Sequence, residues 1–351
     1  MRTLIPSARR ARARSALAVA LLLVVACVAV AGLARVDVGS AASALANAHP
    51  ELLAAAIALY ALSQTTSGVM WAVCQGAGGV RIPVATTLGH HWISRASCEL
   101  LPASLGEGVR VAVVRRHPGG ARAGTWRVAG GLAGYKVIDG AVTAVVVLMI
   151  ALATPLPGPA AGLRWTALAA VLGMAAAAVA WRLGRARGAA RLIPGRARRA
   201  ATRLGEGAGV LAEPGGARVA GALALLAVVT RIGSLAALLA ALDIPPLAAP
   251  LAYAAIVLAG VVPGAPGGAG AREVVLLPAL ALAHGVGSSQ ALAFSVAVQA
   301  TALATSLVIG AAALAWLGPA LVAGRRTAAE PALVPAPDAA AEAAVAPARG
   351  V

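Results

Sequence analysis

The sequence predicts an all-α protein, a polytopic bundle of about seven transmembrane helices with two further re-entrant or broken segments. The first observation behind this prediction is the composition: 60% of the 351 residues are hydrophobic, against roughly half in a soluble domain. The second is the mean hydropathy of +0.86. The third is the arrangement of the chain, in which long uncharged runs alternate with short arginine-rich stretches.

The first predicted helix covers residues 15–34, which carry no charge. A helix needs about 20 such residues to cross the hydrocarbon core, which is about 30 Å thick. A cleaved signal peptide is the alternative, because residues 1–14 are basic and small residues follow the apolar run. That run is longer than the roughly 7 to 15 residues of a signal-peptide core, so a retained helix is favoured.

Six further spans are predicted on the same grounds, at 51–73, 128–152, 165–181, 217–242, 246–262 and 290–316. Residues 319–351 are rich in Ala and Pro without apolar periodicity, which is typical of a disordered tail. The predicted organisation is therefore a basic cytoplasmic N-terminus at 1–14, a membrane domain at 15–318 and a cytoplasmic tail.

The net charge is +17, and all 29 basic residues except Lys136 are arginine. Such a balance occurs in nucleic-acid-binding proteins. Here, however, the arginines cluster at 2–14, 110–127, 182–203 and 325–326, beside apolar runs, as the positive-inside rule predicts. We therefore expect a protein of the plasma membrane with a cytoplasmic N-terminus and no nucleic-acid partner.

Cysteine and histidine give no sign of a metal site. Cys27, Cys74 and Cys98 are odd in number and lack metal-type spacing, which argues against a disulfide framework or a zinc site. His90 and His91 are adjacent, so on a helix they point about 100° apart and cannot chelate as an i, i+4 pair does. The sequence predicts neither a metal nor a cofactor.

Two apolar stretches, at 85–105 and 263–286, are interrupted by Pro, Gly and charged residues. If 74–84 and 106–127 both face the cytoplasm, the first stretch enters and leaves on one side. Non-helical backbone at membrane depth is tolerated only inside protein or beside a water-filled cavity. Paired broken segments in the two halves of a chain are typical of transporter binding sites, although so short a similarity also arises by chance.

Charged residues stand in or beside these apolar segments, although a charge at the bilayer centre costs about 2.5 to 3.5 kcal/mol or more. Spacings of three or four residues predict three pairs on single helical faces: Arg95 with Glu99, Glu107 with Arg110, and Lys136 with Asp139. Arg231 has no acid within reach on its own helix, so it needs a partner from another segment or a ligand.

With Arg272 and Glu273, these residues comprise five cations and four anions. The guanidinium fork suits bidentate contact with phosphate, so the surplus cation favours an anionic lipid ligand. The alternative is that the charges are ion pairs that only hold helices together, because buried pairs are often architectural.

Three ordered motifs resemble a known family: "RIPVATTLGHHWISRASCELLPASLGEGVRVAVVRR", then "GYKVIDG", then "PGAPGGAGAREVVLLPALALAHGVGSSQALAFSVAVQ". Over about residues 50–318 the chain is similar to the transmembrane region of lysylphosphatidylglycerol synthases and related stand-alone flippase-like proteins. The resemblance implies a helical fold with re-entrant segments that moves or presents lipids. The family's signature positions correspond here to Gly106, Glu107, Arg110, Asp139, Gly268, Gly270, Arg272 and Glu273.

The leading hypothesis is a transporter that binds or translocates an anionic phospholipid or a polyprenyl-phosphate-linked lipid. The predicted ligand-binding residues are Glu107, Arg110, Asp139, Arg231, Arg272 and Glu273, supported by Arg95, Glu99, Lys136, Gly106, Gly268 and Gly270. The soluble synthase domain of the lipid-making enzymes has no counterpart in the sequence, so we do not expect an enzyme. The alternative is a membrane scaffold for a separate lipid-modifying enzyme or glycosyltransferase, with the loop at 182–203 as its docking surface.

Overall fold

The computed structural model describes residues 38–100, 103–154, 195–260 and 271–329, with a few isolated positions between 165 and 173. These ranges are helical and contain no strand. The α-helices within them are α1 (Val38–Ala46), α2 (Pro50–Ala77), α3 (Val84–Leu100), α4 (Ala103–Arg116), α5 (Pro118–Ala123), α6 (Thr125–Ala153), α7 (Gly195–Gly207), α8 (Pro214–Ala241), α9 (Ala249–Ala259), α10 (Ala271–His284) and α11 (Ser288–Ala329).

Four of the described helices are long and apolar enough to cross a membrane: α2, α6, α8 and the Ser288–Pro319 part of α11. They confirm the spans predicted at 51–73, 128–152, 217–242 and 290–316, and with them the all-α polytopic class. The spans predicted at 15–34 and 165–181 lie outside the continuously described residues.

The helix found within the span predicted at 246–262 is too short to cross the membrane. A 3₁₀ turn at Pro246–Ala248 precedes α9, which has only 11 residues. At about 1.5 Å per residue, such a helix covers about half of the hydrocarbon core. Consecutive prolines at 245 and 246 explain the late start, because proline lacks the backbone N–H that a helix interior needs. α9 packs instead against α10, which also has only 14 residues.

The first interrupted segment is also a pair of short helices. α3 has 17 residues and α4 has 14, and only residues 101 and 102 separate them in the sequence. The two helices pack on each other. Gly106 allows this contact, because a Cβ atom there would overlap Cys98 Sγ and lie 2.8 Å from Cys98 Cα. That the segment near 85–105 enters and leaves the membrane on one side stays a prediction.

We expect Gly106→Ala to destabilise the α3–α4 pair by about 1 to 3 kcal/mol, the usual cost of overpacking. Gly108→Ala on the same helix is the matched control, because no atom lies within 4 Å of a Cβ atom built there. The control should be neutral or slightly stabilising, since Ala favours helix over Gly. Unfolding midpoints of both variants in detergent test this, and equal midpoints would contradict the close contact.

The long helices α2 and α8 pack on each other and are joined by small polar residues. Ser63 Oγ donates to the Ala227 carbonyl at 2.7 Å, and Ser234 Oγ donates to the Ala56 carbonyl at 2.8 Å. Small residues let two helix backbones approach closely inside a membrane. The His49 N–H also donates to the Ala241 carbonyl, so the start of α2 and the end of α8 lie at the same end.

The opposite end of the bundle is built around glycines. A Cβ atom on Gly207 of α7 would overlap the Arg127 carbonyl of α6, and one on Gly130 of α6 would overlap the Leu204 carbonyl. Arg127 also forms an ion pair with Glu206. α7 is therefore held tightly against the start of α6.

At the same end, α5 begins at a capping histidine. The Gly119 N–H donates to His117 Nδ1 at 3.1 Å. Burial lowers the pKa of His117, and the charge of Arg122 lowers it further. Both effects favour the neutral ring whose nitrogen accepts this hydrogen bond.

The last helix continues further than the sequence predicts. α11 runs to Ala329, so residues 319–329 are helical rather than part of the predicted tail. Four alanines and two arginines among residues 320–329 favour a helix, which the pattern of apolar residues does not reveal. The rest of the predicted tail, 330–351, lies outside the described residues.

Candidate functional site

The centre of the candidate site is Arg110 on α4. Its side chain is only 2% exposed, and its Nε atom lies 3.5 Å from Glu107 Oε2. Its guanidinium carbon lies 5.2 Å from the ring centre of Trp71 on α2 and 5.4 Å from that of Tyr135 on α6. Aromatic faces attract a cation by their quadrupole. The predicted pair of Glu107 with Arg110 is confirmed, and two rings help to hold the guanidinium.

The predicted pairing of Lys136 with Asp139 is wrong. Lys136 Nζ lies 2.5 Å from Glu107 Oε1, so its ion pair crosses from α6 to α4. A lysine carries its charge on a flexible four-carbon stem and can reach a neighbouring helix as easily as its own next turn. Glu107 therefore bridges two cations, Lys136 and Arg110.

A second group of charges joins the two halves of the chain. On α3, Arg95 Nη2 lies 2.5 Å from Glu99 Oε1, which confirms that predicted pair, and it also donates to the Tyr60 hydroxyl at 3.3 Å. Arg272 on α10 is 8% exposed and interacts electrostatically with Glu273, Glu99 and Tyr60. Charges of α3 and α10 therefore lie close together.

The neighbouring carboxylate, Glu273, is held by a hydroxyl group. Ser295 Oγ on α11 donates to Glu273 Oε1 at 2.7 Å. This hydrogen bond fixes the acid beside Arg272, so the signature residues of α10 are oriented by the next helix.

Asp139 and Arg231 lie near the same two tyrosines. Both charges act on Tyr135 and on Tyr253, and Tyr253 lies 3.4 Å from the Thr143 hydroxyl. Within the described part of the chain, neither Asp139 nor Arg231 forms an ion pair, and the buried Arg231 Nε has no hydrogen-bond partner. The sequence indicates that Arg231 needs a partner from another segment or a ligand, and no described acid forms an ion pair with it.

His91 on α3 connects these groups. It is completely buried, and four cations act on it: Arg110, Arg95, Lys136 and Arg231. These four cations therefore surround the ring. Together with Arg272 and the acids already described they make up a cluster of five cations and four acids, as counted from the sequence: Arg95, Arg110, Lys136, Arg231, Arg272, Glu99, Glu107, Asp139 and Glu273.

Sequence reasoning missed two residues beside this cluster, and two of the supporting glycines that it predicted lie outside the described residues. Trp71 and His91 are both 0% exposed and line the surroundings of Arg110, although neither was a predicted binding residue. The signal was weak, because an aromatic residue in an apolar helix reads as packing. Gly268 and Gly270 lie outside the described residues, whereas Gly106 has the packing role described above.

The long apolar helices and the charged interior define a class: a polytopic helical membrane protein with a polar centre. A family model described as the lysylphosphatidylglycerol synthase TM region matches residues 16–310. The chain belongs to this family, as the ordered motifs indicate. The match includes both broken segments and every charge of the cluster. No curated protein matches the chain.

Proposed function

We propose that this protein binds the phosphate of an anionic phospholipid or a polyprenyl-phosphate-linked lipid between its helices and moves that lipid across the membrane. The observation that carries the proposal is the burial of Arg110 in a cluster with one more cation than anion. Intramembrane charges are costly, and such residues usually serve a substrate or ion path.

The arrangement of the acids supports a ligand that enters and leaves. Glu107 is shared between Lys136 and Arg110, so neither cation has a carboxylate of its own. Arg231 has no ion pair among the described residues. A phosphate that enters the cluster supplies the missing negative charge. When the phosphate leaves, the arginines form their ion pairs with the acids again. This role is transport, without catalysis.

The proposal is tested by leaflet exchange of fluorescent phosphatidylglycerol and phosphatidylcholine in vesicles that contain the purified protein. We expect exchange of phosphatidylglycerol, and a decrease of about tenfold or more in Arg231→Gln, because a hydrogen bond to a charged group is lost. Since Arg231 forms no ion pair among the described residues, its replacement leaves no described carboxylate without a partner, and we expect the variant to fold.

Arg218→Gln is the matched control, since Arg218 is an exposed arginine on the same helix whose Nε donates to the Pro214 carbonyl. Its exchange should equal that of wild type. Loss of exchange in both variants, or in neither, would contradict a specific role of Arg231. A protein that exchanges no lipid but retains a partner enzyme would instead be a scaffold, and a new lipid species would identify an enzyme.

We also propose that the glycine-rich end of the bundle faces the cytoplasm in the plasma membrane, with the N-terminus on the same side. Arginine loops remain cytoplasmic in multi-pass proteins. The segments that meet at this end carry a dense set of described arginines: Arg81, Arg115, Arg116, Arg122, Arg127, Arg198, Arg199 and Arg203.

Orientation is testable with single cysteines introduced after the native cysteines are replaced. Thr202→Cys on α7 should react with a membrane-impermeant maleimide only in permeabilised cells. Leu247→Cys follows α8 at the opposite end, where Leu247 is 83% exposed. It should react in intact cells, and the reverse pattern would invert the proposed orientation.

A further inference from the structure

Three side chains from three helices lie together in the deepest part of the candidate site. Trp71 of α2 and His91 of α3 are 0% exposed, and Arg110 of α4 is 2% exposed. The rings of Trp71 and His91 are 6.4 Å apart, and the Arg110 guanidinium carbon lies 5.2 Å from the Trp71 ring centre. Trp71 is therefore within contact range of both partners.

The polar atoms of these side chains are incompletely satisfied. Trp71 Nε1, both ring nitrogens of His91, and Nε and Nη1 of Arg110 are buried without a hydrogen-bond partner in the described part of the chain. Buried polar groups nearly always have partners, and each exception requires an explanation. Several exceptions on three touching side chains indicate one shared occupant rather than isolated defects.

The chemistry of the atoms defines what that occupant must be. An indole N–H only donates, a guanidinium only donates, and a neutral imidazole donates from one nitrogen. The charges that act on His91 are all positive, from Arg110, Arg95, Lys136 and Arg231. The acid that forms an ion pair with Arg110 is Glu107, which is also paired with Lys136. An occupant that accepts several hydrogen bonds and carries negative charge fits this environment.

We infer that Trp71, His91 and Arg110 form a subsite for the oxygens of one phosphate group. The inference rests on the proposed function and deepens it, because it names the donors that recognise the phosphate. Arg110 supplies the charge, while Trp71 and His91 supply neutral N–H donors that fix the orientation of the tetrahedral group. Both a lipid phosphodiester and free inorganic phosphate have this chemistry.

The decisive variant is Trp71→Phe, which keeps an aromatic ring beside Arg110 and removes the N–H donor. His91→Phe is the second variant and removes the imidazole donor. Trp92→Phe is the matched control, because Trp92 is a buried tryptophan whose ring lies 6.2 Å from His91 and whose nitrogen is not among the unsatisfied atoms. Thermal stabilisation of the full-length protein in detergent reports binding of short-chain phosphatidylglycerol, diacylglycerol and inorganic phosphate.

We expect saturable stabilisation by short-chain phosphatidylglycerol and none by diacylglycerol. Trp71→Phe and His91→Phe should each weaken the apparent affinity about tenfold, because each removes a hydrogen bond to a charged group. Trp92→Phe should bind like wild type. Without ligand, Trp71→Phe and Trp92→Phe should lower the melting temperature by similar amounts, since each leaves a cavity where a buried indole was. A merely structural role for Trp71 would lower the melting temperature without weakening the apparent affinity.

The outcomes separate this inference from the function on which it rests. Unchanged phosphatidylglycerol affinity in both Trp71→Phe and His91→Phe would overturn the subsite, whatever the exchange assay shows. Weakened binding in these variants, in a wild-type protein that exchanges no lipid, would support the subsite and overturn transport. Stabilisation by inorganic phosphate that matches that by phosphatidylglycerol would identify free phosphate as the source of the anion and overturn the lipid assignment.

Discussion

Glu107→Gln is expected to destabilise the protein by about 1 to 3 kcal/mol, the cost of leaving the buried charge of Arg110 without its partner. Glu107 lies 2.5 Å from Lys136 and 3.5 Å from Arg110, so one substitution removes the counterion of two cations. Arg110 is almost completely buried and cannot turn to water. Unfolding in a zwitterionic detergent measures the effect.

An exposed acid provides the control for this prediction. Glu213→Gln, at the start of α8, removes a carboxylate that is exposed and makes no capping hydrogen bond. It should change stability by less than about 1 kcal/mol. Phosphatidylglycerol should restore part of the stability of Glu107→Gln, because its phosphate replaces the lost negative charge. Equal stability of the two variants would show that Glu107 does not neutralise the cluster.

Gly207→Ala is expected to detach α7 from the bundle, with a large increase in the rate of tryptic cleavage at its arginines. The added Cβ atom would overlap the Arg127 carbonyl and approach Gly130 Cα to 2.9 Å. These are backbone atoms, which cannot rotate away as a side chain does, so overpacking costs at least about 1 to 3 kcal/mol. Limited proteolysis followed by mass spectrometry measures cleavage at Arg198, Arg199 and Arg203.

Two further variants show whether the glycine contact or the nearby ion pair holds α7. No atom lies within 4 Å of a Cβ atom built on Gly205, so Gly205→Ala should leave cleavage unchanged. Glu206→Gln removes the partner of Arg127, but this pair is partly exposed and is worth at most about 1 kcal/mol. Cleavage that rises more in Glu206→Gln than in Gly207→Ala would show that charge, rather than close packing, anchors the helix.

The four described spans were predictable because a span depends on a local property. An apolar stretch of sufficient length has few other places to fold than a membrane. The same reasoning overcounted at 246–262, because average hydropathy does not register that prolines delay the start of α9. The length of an apolar stretch therefore predicted that a segment is an apolar helix more reliably than it predicted that the helix is long enough to cross the membrane.

Contacts between helices were less predictable than contacts along one helix. The pairs Arg95 with Glu99 and Glu107 with Arg110 follow from helical spacing, and both are present. Lys136 obeys the same spacing rule but binds Glu107, because packing of α6 against α4 offers a nearer acid. A spacing rule ranks partners within one element and contains no information about competitors on another.

Trp71 and His91 show a second limit of sequence reasoning. Each stands in a sequence where an aromatic or imidazole ring is compatible with ordinary packing. Their significance depends on nitrogen atoms that are buried without partners, which only a three-dimensional arrangement reveals. The nine charges could be found from the sequence because charge itself is rare in apolar segments, whereas a neutral donor is not.

The aromatic setting of Arg110 has a kinetic consequence. The guanidinium lies over the rings of Trp71 and Tyr135, which bring no formal charge of their own, so the cluster by itself keeps its excess positive charge. Under the proposed function, the state without lipid is then the less stable one, and binding of an anionic lipid is energetically favourable. We would expect release of the lipid to limit turnover, so substitutions that weaken lipid binding modestly should accelerate transport at saturating lipid before stronger ones abolish it.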